Sequence, residues 1–265
     1  MDPTAPITVH PLAGLPMFAR GMSIAQAICA ALEAAGDNLR DGDIYVIAQK
    51  IVSKVEDRTV GLADIEPGEK ARTLARDTQR DPAMVQAILD ESSEILRARS
   101  AAIIARHRTG HVLANAGIDV SNLAGGGEGH VLLWPVDPDG SARNIRRELQ
   151  DLSGARIGVV IADSMGRAWR IGTVGTAIGC AGITVLDDRR ERGVDLFGRT
   201  LKATIIAVAD SLAAMGGLVM GEGDEGTPVA LVRGGRKWVL AEEEGEGEGE
   251  GAVSGLRPVE QDMFR

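Results

Sequence analysis

The stretch Ile157–Arg167, which reads IGVVIADSMGR, decides the fold of this 265-residue chain. Its first part, Ile157–Ala162, is a nearly unbroken apolar run, which is typical of a strand buried on both faces. The run ends at Asp163 and Ser164, so the predicted strand delivers a carboxylate and a hydroxyl to the carboxyl edge of its sheet. Open α/β sheets bind ligands at that edge, and an aspartate there commonly holds Mg²⁺ on a nucleotide.

The residues around the end of this strand admit two interpretations. In the first, Gly166 permits a tight turn, and Arg167 and Arg170 serve as partners of a phosphate. In the second, Asp163 is the N-cap of a helix at a strand–helix junction.

Elements on both sides of the strand indicate a mixed fold. The β-branched run Ile44–Val52 predicts a strand, and Asp81 is expected to cap a helix that continues to about Arg99. Another strand is predicted at Val229–Arg233. Because the elements follow no regular βαβ repeat, the sequence predicts an α+β (mixed α/β) fold with one principal core and a smaller lobe.

The net charge of −9 is concentrated at the carboxyl terminus. Residues 241–265 carry −6, and six glutamates of that segment lie in Glu242–Gly251. Such a run repels itself and cannot bury apolar surface, so we expect a domain over 1–240 followed by a disordered acidic Glu/Gly tail over 241–265. A hydrophobic content of 44% excludes disorder of the whole chain. The acidic balance argues against nucleic acid as a partner.

Cysteine usage and hydropathy predict a cytoplasmic protein with no membrane partner. Cys29 and Cys180 form no disulfide framework, and the first residues show no signal peptide. The longest uncharged run, Ile171–Leu186, is shorter than the roughly 20 residues of a typical span.

Two further segments carry oxygen ligands. Asn115–Asn122 reads NAGIDVSN, in which Asp119 and the amides could bind a hard cation or a nucleobase edge, or could merely form local turns. Gly221–Pro228 reads GEGDEGTP, which matches GxGxxG but follows a helical segment. Its carboxylates suit phosphates only if divalent cations stand between them; otherwise the segment is an acidic surface turn.

Basic side chains at Lys50 and Lys54 could reach phosphates, although a solvated strand end is the default interpretation. The chain contains no Walker A, HExxH or GxSxG motif, and its four histidines show no ligand spacing. Together these features indicate phosphoryl-transfer chemistry without a P-loop.

In these segments the chain resembles the coenzyme F420-0:L-glutamate ligase family, in its single-domain form. The resemblance extends over about residues 7–235, in family order. It is carried by GLPMF at Gly14–Phe18, QKIVSK at Gln49–Lys54, NAGIDVSN at Asn115–Asn122, PVDPDGSA at Pro135–Ala142, ADSMGRAWR at Ala162–Arg170 and GEGDEGTPVALVRG at Gly221–Gly234.

This resemblance implies a two-lobed fold with mixed sheets, found largely in this family, and an intertwined homodimer. It also implies a GTP-dependent ligase that adds L-glutamate to the deazaflavin precursor F420-0, with γ-linkage for later additions. The cofactors implied are Mg²⁺ or Mn²⁺, as two divalent ions, together with K⁺. An acyl phosphate that releases GDP and then phosphate is our hypothesis for the route.

Residue roles carry over by position. The implied metal ligands are Asp119, Asp163, Ser164 and Glu222, with Ser164 in place of the usual Thr. The implied nucleotide contacts are Leu15, Pro16, Met17, Phe18, Gln49, Lys54, Asn122, Met220, Gly221, Gly223, Asp224, Glu225, Gly226 and Thr227. Lys50, Arg167 and Arg170 are expected to bind phosphate or substrate, and no general base is assigned.

Two alternatives remain open at this point. One is another nucleotide-driven carboxylate–amine ligase that acts on a different acidic acceptor. The other is a nucleotide-binding interaction module without turnover, which would use the acidic tail for docking.

Overall fold

Helices and strands are mixed along the chain, as the α+β prediction requires. The computed structural model describes residues 6–100, 102–122, 129–241 and 250–262. The helices are α1 (Ile24–Ala34), α2 (Gln49–Val55), α3 (Glu69–Thr78), α4 (Pro82–Asp90), α5 (Pro138–Ser153) and α6 (Val208–Met220). The strands are β1 (Thr8–Pro11), β2 (Ile44–Ala48), β3 (Thr59–Gly61), β4 (Ser92–Ala98), β5 (Ile103–His107), β6 (Val112–Ala114), β7 (His130–Leu132), β8 (Gly158–Gly166), β9 (Thr173–Ala181), β10 (Leu186–Asp188), β11 (Ile205–Ala207) and β12 (Val229–Arg233). Within the described ranges, no helix combines the length and the apolar character needed to span a membrane.

The principal sheet has five strands in the order β1-β12-β2-β8-β9. Strands β2 and β8 are parallel, and the other neighbours are antiparallel. On one face Tyr45 and Ile47 pack in a core with α1 and α5, and on the other face Ile44 and Val46 pack in a core with α6. Because both faces of the sheet are covered, the side chains that point to either face are apolar, which explains the apolar run Ile157–Ala162. The predicted mixed fold is confirmed.

Glycines allow the helices to approach β9 closely. A Cβ at Gly175 would lie 2.3 Å from the carbonyl oxygen of Ala213 on α6, and one at Gly179 would lie 2.3 Å from that of Pro138 on α5. Both distances are far below van der Waals contact, so a larger residue would push a helix away from the sheet.

A smaller lobe contains the antiparallel sheet β4-β5-β6. Helices α3 and α4 pack with it around a separate core that includes Ala71, Val85, Ile88, Ile103 and Ala105. The described residues also form two two-stranded sheets, β3 with β7 and β10 with β11.

Two predicted elements change type partway along. The run Ile44–Val52 is a strand only to Ala48, after which α2 begins at Gln49, so that Lys50 lies on a helix and not at a strand end. The helix capped by Asp81 ends at Asp90, and the following residues form β4, which pairs with β5. In both places an apolar run continues across the boundary, so hydrophobicity alone gave the wrong extent.

The predicted tail includes a segment that packs on the body. Residues 242–249 and 263–265 lie outside the described residues, whereas 250–262 are described. Ala252 is buried and its N–H donates to Asp139 Oδ1 at 2.7 Å, while Asp262 lies 3.8 Å from Arg106 in an ion pair. The disordered tail over 241–265 therefore does not describe these thirteen residues, and a domain boundary at 240 stays a prediction.

Candidate functional site

A cavity of about 460 Å³ lies at the edge of the principal sheet where β2 ends beside β8. Its volume falls within the roughly 300–1,000 Å³ usual for small-ligand sites. All fourteen residues predicted to contact a nucleotide line it, as do Lys50, Asp163, Ser164 and Glu222. The full lining comprises residues 15–18, 48–51, 54, 122, 162–164, 175, 217 and 220–228.

The parallel pairing of β2 with β8 brings two of these segments together. Ala48 and Ala162 are register partners, so Gln49, the first residue after β2, and Asp163, the next residue of β8, lie side by side at the same edge of the sheet. Strand β8 continues past Asp163 to Gly166 in an antiparallel pair with β9. The alternative in which Asp163 caps a helix is therefore wrong, and its side chain belongs to a strand that extends beyond the sheet edge.

A glycine-rich loop over 221–228 forms another part of the cavity lining. It connects α6 to β12, and Gly221 has a φ of +77°, which only glycine adopts without strain. A Cβ at Gly221 would also lie 2.2 Å from the Glu225 carboxyl carbon. The Glu225 carboxylate accepts the Gly223 N–H at 2.8 Å, and the Asn122 side-chain amide donates to the Gly223 carbonyl at 3.4 Å.

The ammonium group of Lys50 lies among acidic side chains. It forms an ion pair with the Asp119 carboxylate and donates to Ser121 Oγ at 2.9 Å. Burial lowers the pKa of Lys50, and the nearby negative charges of Asp163 and Glu222 oppose that shift. The single positive charge of Lys50 is therefore attracted by three carboxylates from three different segments, those of Asp119, Asp163 and Glu222.

Asp163 has both carboxylate oxygens fixed by donors. Trp134 Nε1 donates to Oδ2 at 2.8 Å, and the Ser164 N–H donates to Oδ1 at 2.8 Å. Burial raises the pKa of Asp163 to about 6, against the lowering effect of these two hydrogen bonds and of Lys50. A positive charge in the cavity would favour the ionised form of this carboxyl.

Comparison with known proteins identifies the family. The sequence profile of F420-0:Gamma-glutamyl ligase matches residues 14–234, which include almost the whole principal sheet and every cavity segment. The chain belongs to the F420-0:gamma-glutamyl ligase family. Among its relatives is the coenzyme F420:L-glutamate ligase of Methanothermobacter thermautotrophicus, 46% identical over 95% of this chain and 96% of the relative. Proteins of the same name from Methanocaldococcus jannaschii and Methanopyrus kandleri are both 44% identical, over 86% and 89% of this chain and 86% and 90% of theirs.

The donor chemistry at the cavity suits the divalent metals expected of this ligase family. Asp163, Ser164 and Glu222 supply carboxylate and hydroxyl oxygens, which are the ligands that Mg²⁺ takes. The Lys50 ammonium shows that a cation is accommodated among these groups. In the part of the chain that the structure describes, no three His, Cys, Asp or Glu side chains lie close enough to hold an ion as they stand.

Three predicted site residues lie outside the cavity lining. The Asp119 carboxylate turns toward Lys50 and Ser121, and its backbone pairs with Leu132. Arg167 and Arg170 lie at the exposed end of the β8–β9 hairpin, where Arg167 donates to the Gly172 carbonyl at 3.1 Å. The structure therefore connects Asp119 to the site through Lys50, and it does not bring either arginine to the cavity.

No sequence pattern indicated that Trp134 is part of the site. A single tryptophan after an apolar run is ordinarily a core residue, and Trp134 is indeed fully buried. Its hydrogen bond to Asp163 joins residues 29 positions apart, and no local pattern reports such a contact.

Proposed function

We propose that this member of the family is a GTP-dependent ligase that joins L-glutamate to F420-0 and releases GDP and phosphate. The observation that carries the proposal is the convergence of all fourteen expected nucleotide contacts on one cavity, with the acidic groups Asp163 and Glu222 at its edge. The names of the relatives support the choice of substrates.

The metals in this proposal are two divalent ions, Mg²⁺ or Mn²⁺, with K⁺ as a further ion. Asp119, Asp163, Ser164 and Glu222 would hold the divalent ions, which neutralise phosphate charge when bound. Lys50 would then be free to leave Asp119 and to face a phosphate.

The chain's own residues bind and orient the reactants. The apolar segment 15–18 offers a wall for the nucleobase, and Lys50 and Lys54 place ammonium groups beside the phosphates. The terminal carboxylate of F420-0 attacks the γ-phosphorus of GTP, and the bond to the bridging oxygen breaks as GDP leaves. The glutamate amine then attacks the acyl carbon, phosphate leaves, and the amine nitrogen loses a proton as the amide forms. Positioning and electrostatics supply the catalysis, with no covalent enzyme intermediate.

One reaction tests the function directly. The protein is incubated with GTP, Mg²⁺ or Mn²⁺, L-glutamate and F420-0, and the products are measured by mass spectrometry. We expect acceptor heavier by glutamyl units, with one GDP formed for each glutamyl unit added. D163N should lower turnover about a hundredfold or more, because a neutral amide is a much weaker metal ligand than a carboxylate and the divalent ion that neutralises the transferring phosphoryl group would be held less well.

The control for D163N is D90N, which changes an exposed aspartate bonded to Gln86 on α4. Mass gain on a different acidic acceptor would favour another ligase of the same chemistry, and GTP binding without any turnover would favour an interaction module. Either result would contradict the proposed substrates. The cytoplasmic location inferred from the sequence stays a prediction.

A further inference from the structure

The indole of Trp134 occupies a slot that fits its ring closely. A Cβ at Gly117, whose φ is +71°, would lie 2.4 Å from the indole nitrogen. The His107 ring lies with its centroid 4.7 Å from that of Trp134, and the His111 ring meets it edge-on at 5.5 Å. With glycine on one side and two imidazoles beside it, the indole has no room to rotate, and its N–H points at Asp163 Oδ2.

Hydrogen bonds hold the His107 ring. His107 Nδ1 lies 2.9 Å from the Thr109 hydroxyl oxygen and 3.1 Å from the Thr109 backbone nitrogen, and Nε2 lies 3.4 Å from the Glu91 carboxylate. Glu91 is itself paired with Arg58 and Arg108 at 3.1 and 2.7 Å. Contacts at both ring nitrogens hold the His107 ring in one orientation.

A second set of bonds holds His111. Its Nε2 lies 3.3 Å from the Ala177 carbonyl oxygen, which can only accept, so Nε2 carries the proton. Its Nδ1 lies 2.9 Å from the Thr109 hydroxyl oxygen, which also contacts His107 Nδ1. Burial lowers the pKa of His111, which agrees with a neutral ring. Both imidazoles beside Trp134 are thus held by Thr109 in the turn after β5, with Glu91 contacting His107 and Ala177 of β9 contacting His111.

We propose that Trp134 is a positioning residue that aims the Asp163 carboxylate at the cavity for metal binding. This role rests on the proposed function, since it concerns the same metal site. The indole N–H occupies one lone pair of Oδ2 and the Ser164 N–H occupies one of Oδ1, which leaves one lone pair on each oxygen for a cation. Donors of this kind orient metal-binding carboxylates, and their loss costs about 10- to 100-fold in metal affinity.

The test compares Mn²⁺ affinity in variants of the full chain. W134F retains an aromatic ring and deletes the N–H, and Trp134→3-benzothienylalanine replaces the N–H by sulfur with the ring size preserved. W238F is the matched control, because Trp238 packs in the other core and stacks on Lys237. Free Mn²⁺ is counted by electron paramagnetic resonance, with Mn²⁺ alone and with a non-hydrolysable GTP analogue, and thermal unfolding is recorded for each protein.

We expect both position-134 variants to raise the Kd for Mn²⁺ about 10- to 100-fold, with W238F unchanged. The Mn²⁺ concentration for half-maximal ligase rate should rise in parallel, while the rate at saturating Mn²⁺ falls less. An unchanged Mn²⁺ Kd in the benzothienylalanine protein would overturn the role of Trp134 and leave the proposed function standing, even if W134F unfolds. If the wild-type chain binds no Mn²⁺ in either condition, the metal site itself is wrong, and the role of Trp134 is overturned with it.

Discussion

Single side chains at this site are arranged to balance charge. Lys50 pairs with Asp119 and lies near Asp163 and Glu222, so one ammonium offsets three carboxylates contributed by separate segments. A nucleoside triphosphate brings several more negative charges to the same place. Because residues 1–240 carry a net charge of only −3, added cations would have to offset most of that excess.

Arg233 forms a different kind of residue-scale contact, far along the sheet from the cavity. Its guanidinium donates to Asp37 at 2.6 Å and to Asp43 at 3.1 Å, which joins β12 to the turn before β2. These bonds hold the pKa of Asp37 well below its usual 3.8. Asp37 therefore contributes stability above pH about 4, and this contribution is lost as the pH falls toward the lowered pKa.

D37N tests this pH dependence. Near pH 7 we expect the free energy of unfolding to fall by about 1 kcal/mol, because a charge-assisted bond to Arg233 becomes a neutral one. The difference between wild type and D37N should be smaller at pH 3 than at pH 7, because Asp37 of the unfolded chain takes up a proton below pH about 4 while the folded carboxylate stays ionised until the pH approaches its lowered pKa. Denaturant titrations at both pH values give the two differences, with D90N as the control. A gap that is constant or grows at low pH would contradict the assignment.

At the scale of elements, the sequence predicted most of the principal sheet because its strands are marked locally. Ile157–Ala162 and Val229–Arg233 are short apolar runs between polar turns, and both are strands in the structure. The change from strand to helix inside Ile44–Val52 could not be predicted from hydrophobicity, because Ile51 and Val52 are buried on a helix just as they would be on a strand. Residues 162–164 and 221–228 were marked by their own residue types, whereas residues 15–18 came only from the family resemblance. Trp134 was found by neither route, because its contact with Asp163 depends on tertiary packing.

The glycine loop makes an element-scale prediction. G221A places a methyl group in a backbone conformation with φ +77° and against the Glu225 carboxylate, so residues 221–228 must move. We expect the Kd for GTP to rise at least about tenfold, which corresponds to about 1.4 kcal/mol. Isothermal titration calorimetry with GTP and Mg²⁺ measures the change.

The control for G221A is G154A at the end of α5. Gly154 also has a positive φ, of +69°, but a Cβ there would meet nothing within 4 Å. G154A should lose about 1–2 kcal/mol of stability because Gly154 has left-handed backbone. G221A should lose at least as much, because φ +77° with ψ 178° is a region occupied almost solely by glycine, and only G221A should weaken GTP binding. Equal GTP affinities in the two variants would show that the loop does not contact the nucleotide.

At the scale of the whole molecule, the β8–β9 and β10–β11 hairpins carry large apolar side chains that are exposed to solvent. Trp169, at the end of the β8–β9 hairpin, is 88% exposed. Phe197, between β10 and β11, is 83% exposed, and its neighbour Leu196 is fully exposed. Apolar side chains grouped in this way mark interaction surfaces, and homodimers bury the same surface of both copies about a two-fold axis. The homodimer expected from the family resemblance would give these ends a partner.

We therefore expect light scattering to give wild-type protein twice the chain mass of 27.8 kDa at micromolar concentration. The double variant L196S/F197S should have the mass of a single chain, because it removes two apolar anchors and leaves the residues that line the cavity unchanged. L152S is the control, since Leu152 is 52% exposed on α5 and belongs to neither hairpin. A wild-type protein that is monomeric would contradict the dimer. A dimeric L196S/F197S would place the interface elsewhere, and Trp169 and Ile171 on the β8–β9 hairpin would be the next positions to substitute.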